Sequence, residues 1–229
     1  MDSFRVLCLN LYRGRVTSDQ LTALLDAAAP DVGVFQELTL PLADVVADRF
    51  AHHALHPAPN AAGRGIASKR PMESALLDLP HRPAPVATLH PRVWGQLDRP
   101  LSLVNLHMTH PLAFPPWRSA RHRTGQVDGV LGHARENGDL MVVGDLNAAP
   151  GWPSYRRFRG HFEDGATLVA DRHRRRPEMT WSLRPGGRAL MRIDHILVTG
   201  VTVLDLTTIR IGTSDHRALV ADIASHRPT

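Results

Sequence analysis

The sequence predicts an α/β or α+β sandwich, and three observations carry that expectation. Apolar runs are short and recur along the whole chain, each broken by Pro, Gly or Asp. Most have the length and composition of strands, whereas few stretches have helical spacing. The 229 residues, 43% hydrophobic and 21% charged, fit one large domain, residues 1–229, whose core needs no disulfide.

Taken in order, residues 4–11 read as a strand and residues 19–29 as a helix, with Ser18 as N-cap and Pro30 as stop. Residues 31–36 read as a buried strand and 42–50 as a helix. Further strands are expected at 65–68, 86–97, 101–107, 140–144, 193–198, 202–206 and 218–223, with a turn at Asp98-Arg99-Pro100. Residues 117–136 suit a helix that Asn137-Gly138 ends. Residues 146–192, with nine prolines and glycines among many arginines, read as loop.

Composition narrows the setting. Cys8 is the only cysteine, which excludes an internal disulfide and fits a reducing, cytoplasmic compartment. It lies in an apolar run and reads as a small buried hydrophobe. No apolar stretch reaches 18 residues and no signal-peptide core precedes the first strand, so no stable membrane insertion is expected. The formal charge of +5, almost all from arginine, suits a phosphate-bearing substrate. A monomer is expected.

The informative feature is where polar residues interrupt the apolar runs. Asn10, Glu37, His107, Asp145 and Asn147 each stand at the end of one. Asp194-His195 and Ser214-Asp215-His216 stand at the start of two others. If neighbouring strands run antiparallel, starts and ends share one rim and these groups meet in one pocket. Each alone reads as a turn former, a cap or a solvated side chain; the repetition gives them weight together. Glu37, Asp215 and Asn10 offer the hard oxygen ligands that Mg²⁺ or Mn²⁺ takes. A histidine backed by a carboxylate can orient or deprotonate water. His-Glu-x-x-His, Cys-x-x-Cys, Gly-x-Ser-x-Gly and Walker A patterns are all missing, which argues against zinc proteases, zinc ribbons, α/β-hydrolases and P-loop enzymes.

The ordered set Leu9-Asn10, Gln36-Glu37, Gly65-Ile66-Ala67-Ser68, Asn105-Leu106-His107, Gly144-Asp145-Leu146-Asn147, Ile193-Asp194-His195 and Ser214-Asp215-His216 resembles the endonuclease/exonuclease/phosphatase (deoxyribonuclease I-like) superfamily. The resemblance implies a four-layer α/β sandwich, two packed mixed β-sheets flanked by helices. It implies Glu37 as main metal ligand with Asn10 and Asp215 nearby, and His216, paired with Asp194, as general base or phosphate contact. Asp145 would orient or activate the nucleophilic water and Asn147 would hold the phosphate. His107 would match the second histidine of the deoxyribonuclease I and sphingomyelinase branches, although residues 51–64 offer it no carboxylate, with Asn60 the one amide there. His195 reads as a packing residue, and Thr109 and His110 as neighbours of the substrate.

Three functions compete. A nuclease acting on DNA or RNA would use Arg172, Arg174, Arg175 and Arg176, with Trp152, Tyr155 and Trp181 as stacking surface. A hydrolase of a small phosphorylated metabolite or lipid head group suits the compact length, and residues 112–117 offer an apolar loop for a membrane-acting version. An inactive binding module would have lost a core position, and none is lost.

Overall fold

A computed structural model describes residues 2–113 and 115–225. Among them the elements run β1 (Phe4–Asn10), α1 (Ser18–Ala28), β2 (Val32–Gln36), α2 (Leu40–Arg49), β3 (His52–His56), β4 (Arg64–Ser68), β5 (Glu73–Leu77), β6 (Ala84–Leu89) and β7 (Leu101–Asn105). They continue with α3 (Pro116–Asn137), β8 (Leu140–Asp145), α4 (Pro153–Arg159), β9 (Glu163–Asp164), α5 (Gly165–Arg172), β10 (Asp194–Val198), β11 (Val201–Arg210) and β12 (Arg217–Ser225). The strands form two mixed six-stranded sheets, ordered β11-β12-β1-β2-β4-β3 and β5-β6-β7-β8-β10-β9. This is the four-layer sandwich expected.

Side-chain alternation builds the layers. Along β1, Phe4, Val6 and Cys8 enter the core between the sheets, while Leu7 and Leu9 face α1 and α2. Along β8, Met141 and Val143 enter the inter-sheet core, while Leu140 and Val142 face α3 and α4. Helix α5 sends Ala166 and Val169 into the inter-sheet core and packs on both β10 and β11, so it closes one side of the sandwich. Among the described residues no helix is long and apolar enough to cross a membrane.

Several expectations shift for identifiable reasons. The N-cap of α1 is Thr17 rather than Ser18: its hydroxyl accepts the Gln20 N–H, and the Gln20 side chain accepts the Thr17 N–H. The strand expected at 86–97 ends at Leu89, because the His90 carbonyl accepts the N–H groups of Val93 and Trp94 in a turn. That turn buries Trp94 against Phe4 and gives its indole N–H the Pro71 carbonyl. Strands β3 and β5 were not expected; both are edge strands, β3 partly and β5 largely exposed, without an apolar alternation to mark them. The loop expected at 146–192 holds α4, β9 and α5. Phe114, within the apolar loop 112–117, lies outside the described residues.

Candidate active site

The alternation that builds the inter-sheet core also ends it in polar groups. Asn10 continues the parity of Val6 and Cys8, Asp145 that of Met141 and Val143, and Asp194 that of Ile196 and Val198. Strands β1 and β2 are parallel, as are β7 and β8, so their C-terminal ends share one rim. Strand β10 runs antiparallel to β8 and sets Asp194 opposite Asp145. The turn between β11 and β12 brings Asp215 and His216 to the same rim, where the Ser214 hydroxyl donates to the Asn10 carbonyl. Beneath them Gln36 and Asn105 bridge the two sheets, 2.8 Å apart, and Asn105 also donates to the Phe35 and Gly65 carbonyls. Cys8 is buried as expected, its thiol 3.6 Å from the Gln36 side-chain oxygen.

The backbone at this rim is strained where the side chains must turn inward. Glu37 has φ 56° directly after β2, and Asn147 has φ 46°. Asparagine tolerates that conformation, but for glutamate it is an outlier of the kind held at functional sites. Gly144 has φ 145°, and a Cβ there would meet the Leu106 carbonyl oxygen at 2.2 Å. The glycine of Gly-Asp-Leu-Asn is thus a requirement of close backbone approach.

All eight candidate residues come together. Asn10 donates through Nδ2 to Asp145 Oδ2 (3.1 Å) and Glu37 Oε1 (3.4 Å). His107 Nε2 stands 3.6 Å from Asp145 and 3.9 Å from Glu37. His216 donates through Nδ1 to Asp194 at 2.9 Å, which leaves Nε2 3.8 Å from Asp145 and 3.9 Å from Asp215. Trp181 donates its indole N–H to Asp215 Oδ2 (3.1 Å), and the Thr180 hydroxyl accepts the Asp194 N–H. These groups and their neighbours wall a cavity of about 460 Å³, lined also by Tyr12, Arg13, Arg82, His110 and Trp152.

Electrostatics divides the two histidines. Burial lowers the pKa of His107, and the nearby Arg82, His216 and Arg64 lower it further, so it stays neutral. Burial acts the same way on His216, but Asp194, Asp145 and Asp215 outweigh it and raise its pKa to about 10. Burial raises Asp145 to about 7; the charges of Asp194 and Glu37 add to the rise, while His216 and the Asn147 N–H oppose it. The protonated His216 therefore sits between two carboxylates that face each other across strands.

The donor set fits a hard divalent cation. Glu37 Oε2 and Asp215 Oδ1 are buried with no hydrogen-bond partner among the described residues. A buried anionic oxygen without a partner is costly, and a cation relieves that cost. Asp145, Asp194 and His216 also offer ligand atoms within 4.8 Å of one another, but the Asp194 carboxylate already holds His216. Asn10 fits less directly, because its amide oxygen accepts the Tyr12 N–H.

Some expected neighbours take other places. Asn60 accepts the Ala62 N–H and gives His107 nothing. Thr109 is buried under Gln126 and Arg123, while His110 does line the cavity. Tyr155 is no stacking surface: it is buried with its hydroxyl on Asp164. Of the arginine cluster, Arg172 donates to the Val203 and Leu204 carbonyls and Arg175 to that of Leu206, tying α5 to β11. None of the four lines the cavity. Arg82 and Trp181 act at the site in ways sequence reasoning missed: Arg82 sits in a proline-rich loop without a motif, and the partner of Trp181 is 34 residues away.

Comparison with known proteins identifies the family and the fold. The model of the endonuclease/exonuclease/phosphatase family matches residues 7–216. No curated protein sequence matches the chain significantly. Among solved structures, the human Nocturnin catalytic domain with bound sulfate superposes with a TM-score of 0.73 at 18% identity, covering 97% of this chain and 94% of that one. The endonuclease/exonuclease/phosphatase from Beutenbergia cavernae gives 0.72 at 19% identity, covering 98% and 72%. The 3′ phosphatase NExo from Neisseria, bound to a product DNA hairpin, gives 0.71 at 19% identity, covering 95% and 98%. The chain thus belongs to the endonuclease/exonuclease/phosphatase family, whose members are metal-dependent hydrolases of phosphate esters.

Proposed function

We propose that the chain is a nuclease-type phosphodiesterase that works by in-line attack of water, with Mg²⁺ or Mn²⁺ held by Glu37 and Asp215. The observation that carries this reading is the pair of buried oxygens, Glu37 Oε2 and Asp215 Oδ1, that line the cavity without a hydrogen-bond partner among the described residues. When bound, the cation polarises the phosphoryl group and offsets the charge that develops on it. Asn10 positions the Glu37 and Asp145 carboxylates.

The remaining steps fall to side chains. Asp194 fixes the tautomer and orientation of His216, whose Nε2–H is then a cationic donor to a phosphate oxygen. Asp145, with its raised pKa, orients the attacking water and takes its proton. Neutral His107 donates or accepts beside it. Asn147 is engaged by the Met108 carbonyl and by Asp145, and it contacts the phosphate by releasing the longer bond to Asp145, 3.3 Å. The NExo structure holds DNA, which supports a nucleic-acid substrate.

The cavity also suits a small phosphorylated metabolite, since about 460 Å³ lies within the usual range for such ligands. A screen of the purified enzyme with Mg²⁺ against plasmid DNA, RNA, nucleotides, inositol phosphates and sphingomyelin separates the readings. The nuclease reading expects turnover of DNA or RNA above all others. Turnover confined to a mononucleotide, inositol phosphate or lipid overturns it.

A further inference from the structure

We propose that Arg64 and Arg82 form a second phosphate-binding subsite beside the catalytic pocket, so that the preferred substrate carries another phosphate next to the one that is cleaved. The proposal rests on the phosphodiesterase reading above and names what that substrate must carry.

Position comes first. Arg82 lines the cavity with Glu37 and His107, and its guanidinium is oriented by donating to the Ala61 carbonyl at 2.6 Å. Arg64 opens β4, where it pairs in register with Gln36, the residue before Glu37. Both side chains are therefore delivered to the same rim as the catalytic groups.

The second observation is a missing counterion. By comparison, buried Arg192 reaches the Asp164 carboxylate and buried Arg123 the Thr109 and Leu146 carbonyls and the Ser154 hydroxyl. Neither Arg64 nor Arg82 has a carboxylate within ion-pair distance among the described residues, and the Arg64 side chain makes no hydrogen bond or ion pair there. The neighbouring side chains are basic residues too. His81 stacks on His122 of α3 with ring centroids 5.2 Å apart, and Arg118 adds its charge from the same helix. Burial, with each other's charge in the case of Arg64, lowers the pKa of both arginines, that of Arg64 to about 10. Half-buried like charges are unfavourable, and the Glu37 charge opposes the fall for Arg82, plays no part for Arg64 and forms an ion pair with neither. A phosphate offsets both, because the planar guanidinium fork matches its oxygens.

The test compares a thymidine dinucleotide with the same dinucleotide bearing a 5′- or 3′-terminal phosphate, in Mg²⁺. Wild-type enzyme should favour one phosphorylated form by about 10-fold or more in kcat/KM, the usual effect of a charged hydrogen bond. In the Arg64→Gln, Arg82→Gln double variant that preference should fall toward one. An equal rate for all three dinucleotides, or a preference that survives the double variant, overturns the subsite. Bis(p-nitrophenyl) phosphate, which has a single phosphate, keeps the two readings apart: hydrolysis of it without any preference sinks the subsite alone, whereas no hydrolysis of any substrate sinks the phosphodiesterase reading.

Melting temperature gives a second readout. Arg64→Gln should melt higher than wild type without ligand and should gain less from added pyrophosphate. A lower melting temperature with an undiminished pyrophosphate shift would make Arg64 a structural residue and contradict the proposal.

Discussion

Two buried polar clusters lie on opposite faces of β10, and neighbouring residues of one strand feed them. Asp194 points into the site; His195 points away, into a cluster with Asp164, Arg192 and Tyr155. The second cluster is closed. Asp164 Oδ1 accepts the Ala166 and Thr167 N–H groups and caps α5, while Oδ2 accepts Arg192 and the Tyr155 hydroxyl, both at 2.5 Å. His195 Nε2 donates to the Ala148 carbonyl at 2.9 Å, and Nδ1 lies 3.2 Å from the Arg192 guanidinium and 3.8 Å from Asp164. The first cluster is open. Asp145 and Asp194 face each other, and Glu37 Oε2 and Asp215 Oδ1 have no hydrogen-bond partner among the described residues. A satisfied network fixes a fold; an unsatisfied one of similar burial is held in place by its surroundings and is free to act on something else.

The sharpest way to break this contrast is to delete His216. His216→Ala should lose about 10²–10⁴-fold in kcat on bis(p-nitrophenyl) phosphate while keeping its melting temperature within a few degrees. A variant that unfolds instead would place His216 with the structural cluster.

Asp164→Asn should do the reverse. Leaving Arg192 buried without its anion should cost about 3–5 kcal/mol in chemical denaturation, with activity per folded molecule retained. Burial alone raises the pKa of Asp164, but His195, Arg192 and Tyr155 outweigh it and hold the folded value far below the usual carboxylate range. A depressed folded pKa stabilises above the unfolded value, about 3.9, and that contribution is lost as pH falls below it. The stability gap between wild type and Asp164→Asn should therefore shrink on acidification from pH 7 to pH 3.

Gly144→Ala tests the frame that carries Asp145. The added Cβ meets backbone at 2.2 Å, so about 1–3 kcal/mol of stability and most activity should be lost together. The smallest effect is expected from Arg174→Ala with Arg175→Ala. These residues line no part of the cavity, and the Arg175–Glu178 pair is exposed, so stability should change by less than about 1 kcal/mol. The salt dependence of DNA binding should hold, whereas a phosphate grip by these arginines would make it flatten.

Much of this was legible in the sequence because the signals were local. Strands with apolar runs on both faces marked themselves, and their terminal polar residues marked the rim. What stayed hidden depended on partners far along the chain. His195 read correctly as a packing residue beside Asp194, but its partners Asp164, Arg192 and Tyr155 carried no local signal. Trp181 read as a stacking surface until its indole N–H was seen on Asp215. The arginines of 172–176 read as a nucleic-acid grip because charge in sequence does not reveal the β11 carbonyls that hold Arg172 and Arg175. Arg64 and Arg82 gave no signal, since 18 residues separate them and neither belongs to a motif.

The central claim is that the open cluster is a cation site on which hydrolysis depends. The direct measurement is the rate on bis(p-nitrophenyl) phosphate as Mg²⁺ or Mn²⁺ is titrated into chelator-treated wild type and Glu37→Ala. Wild type should be inactive in excess chelator and recover fully with added metal, and Glu37→Ala should stay at least about 100-fold slower at the same metal concentration. Full wild-type activity in excess chelator would contradict the account.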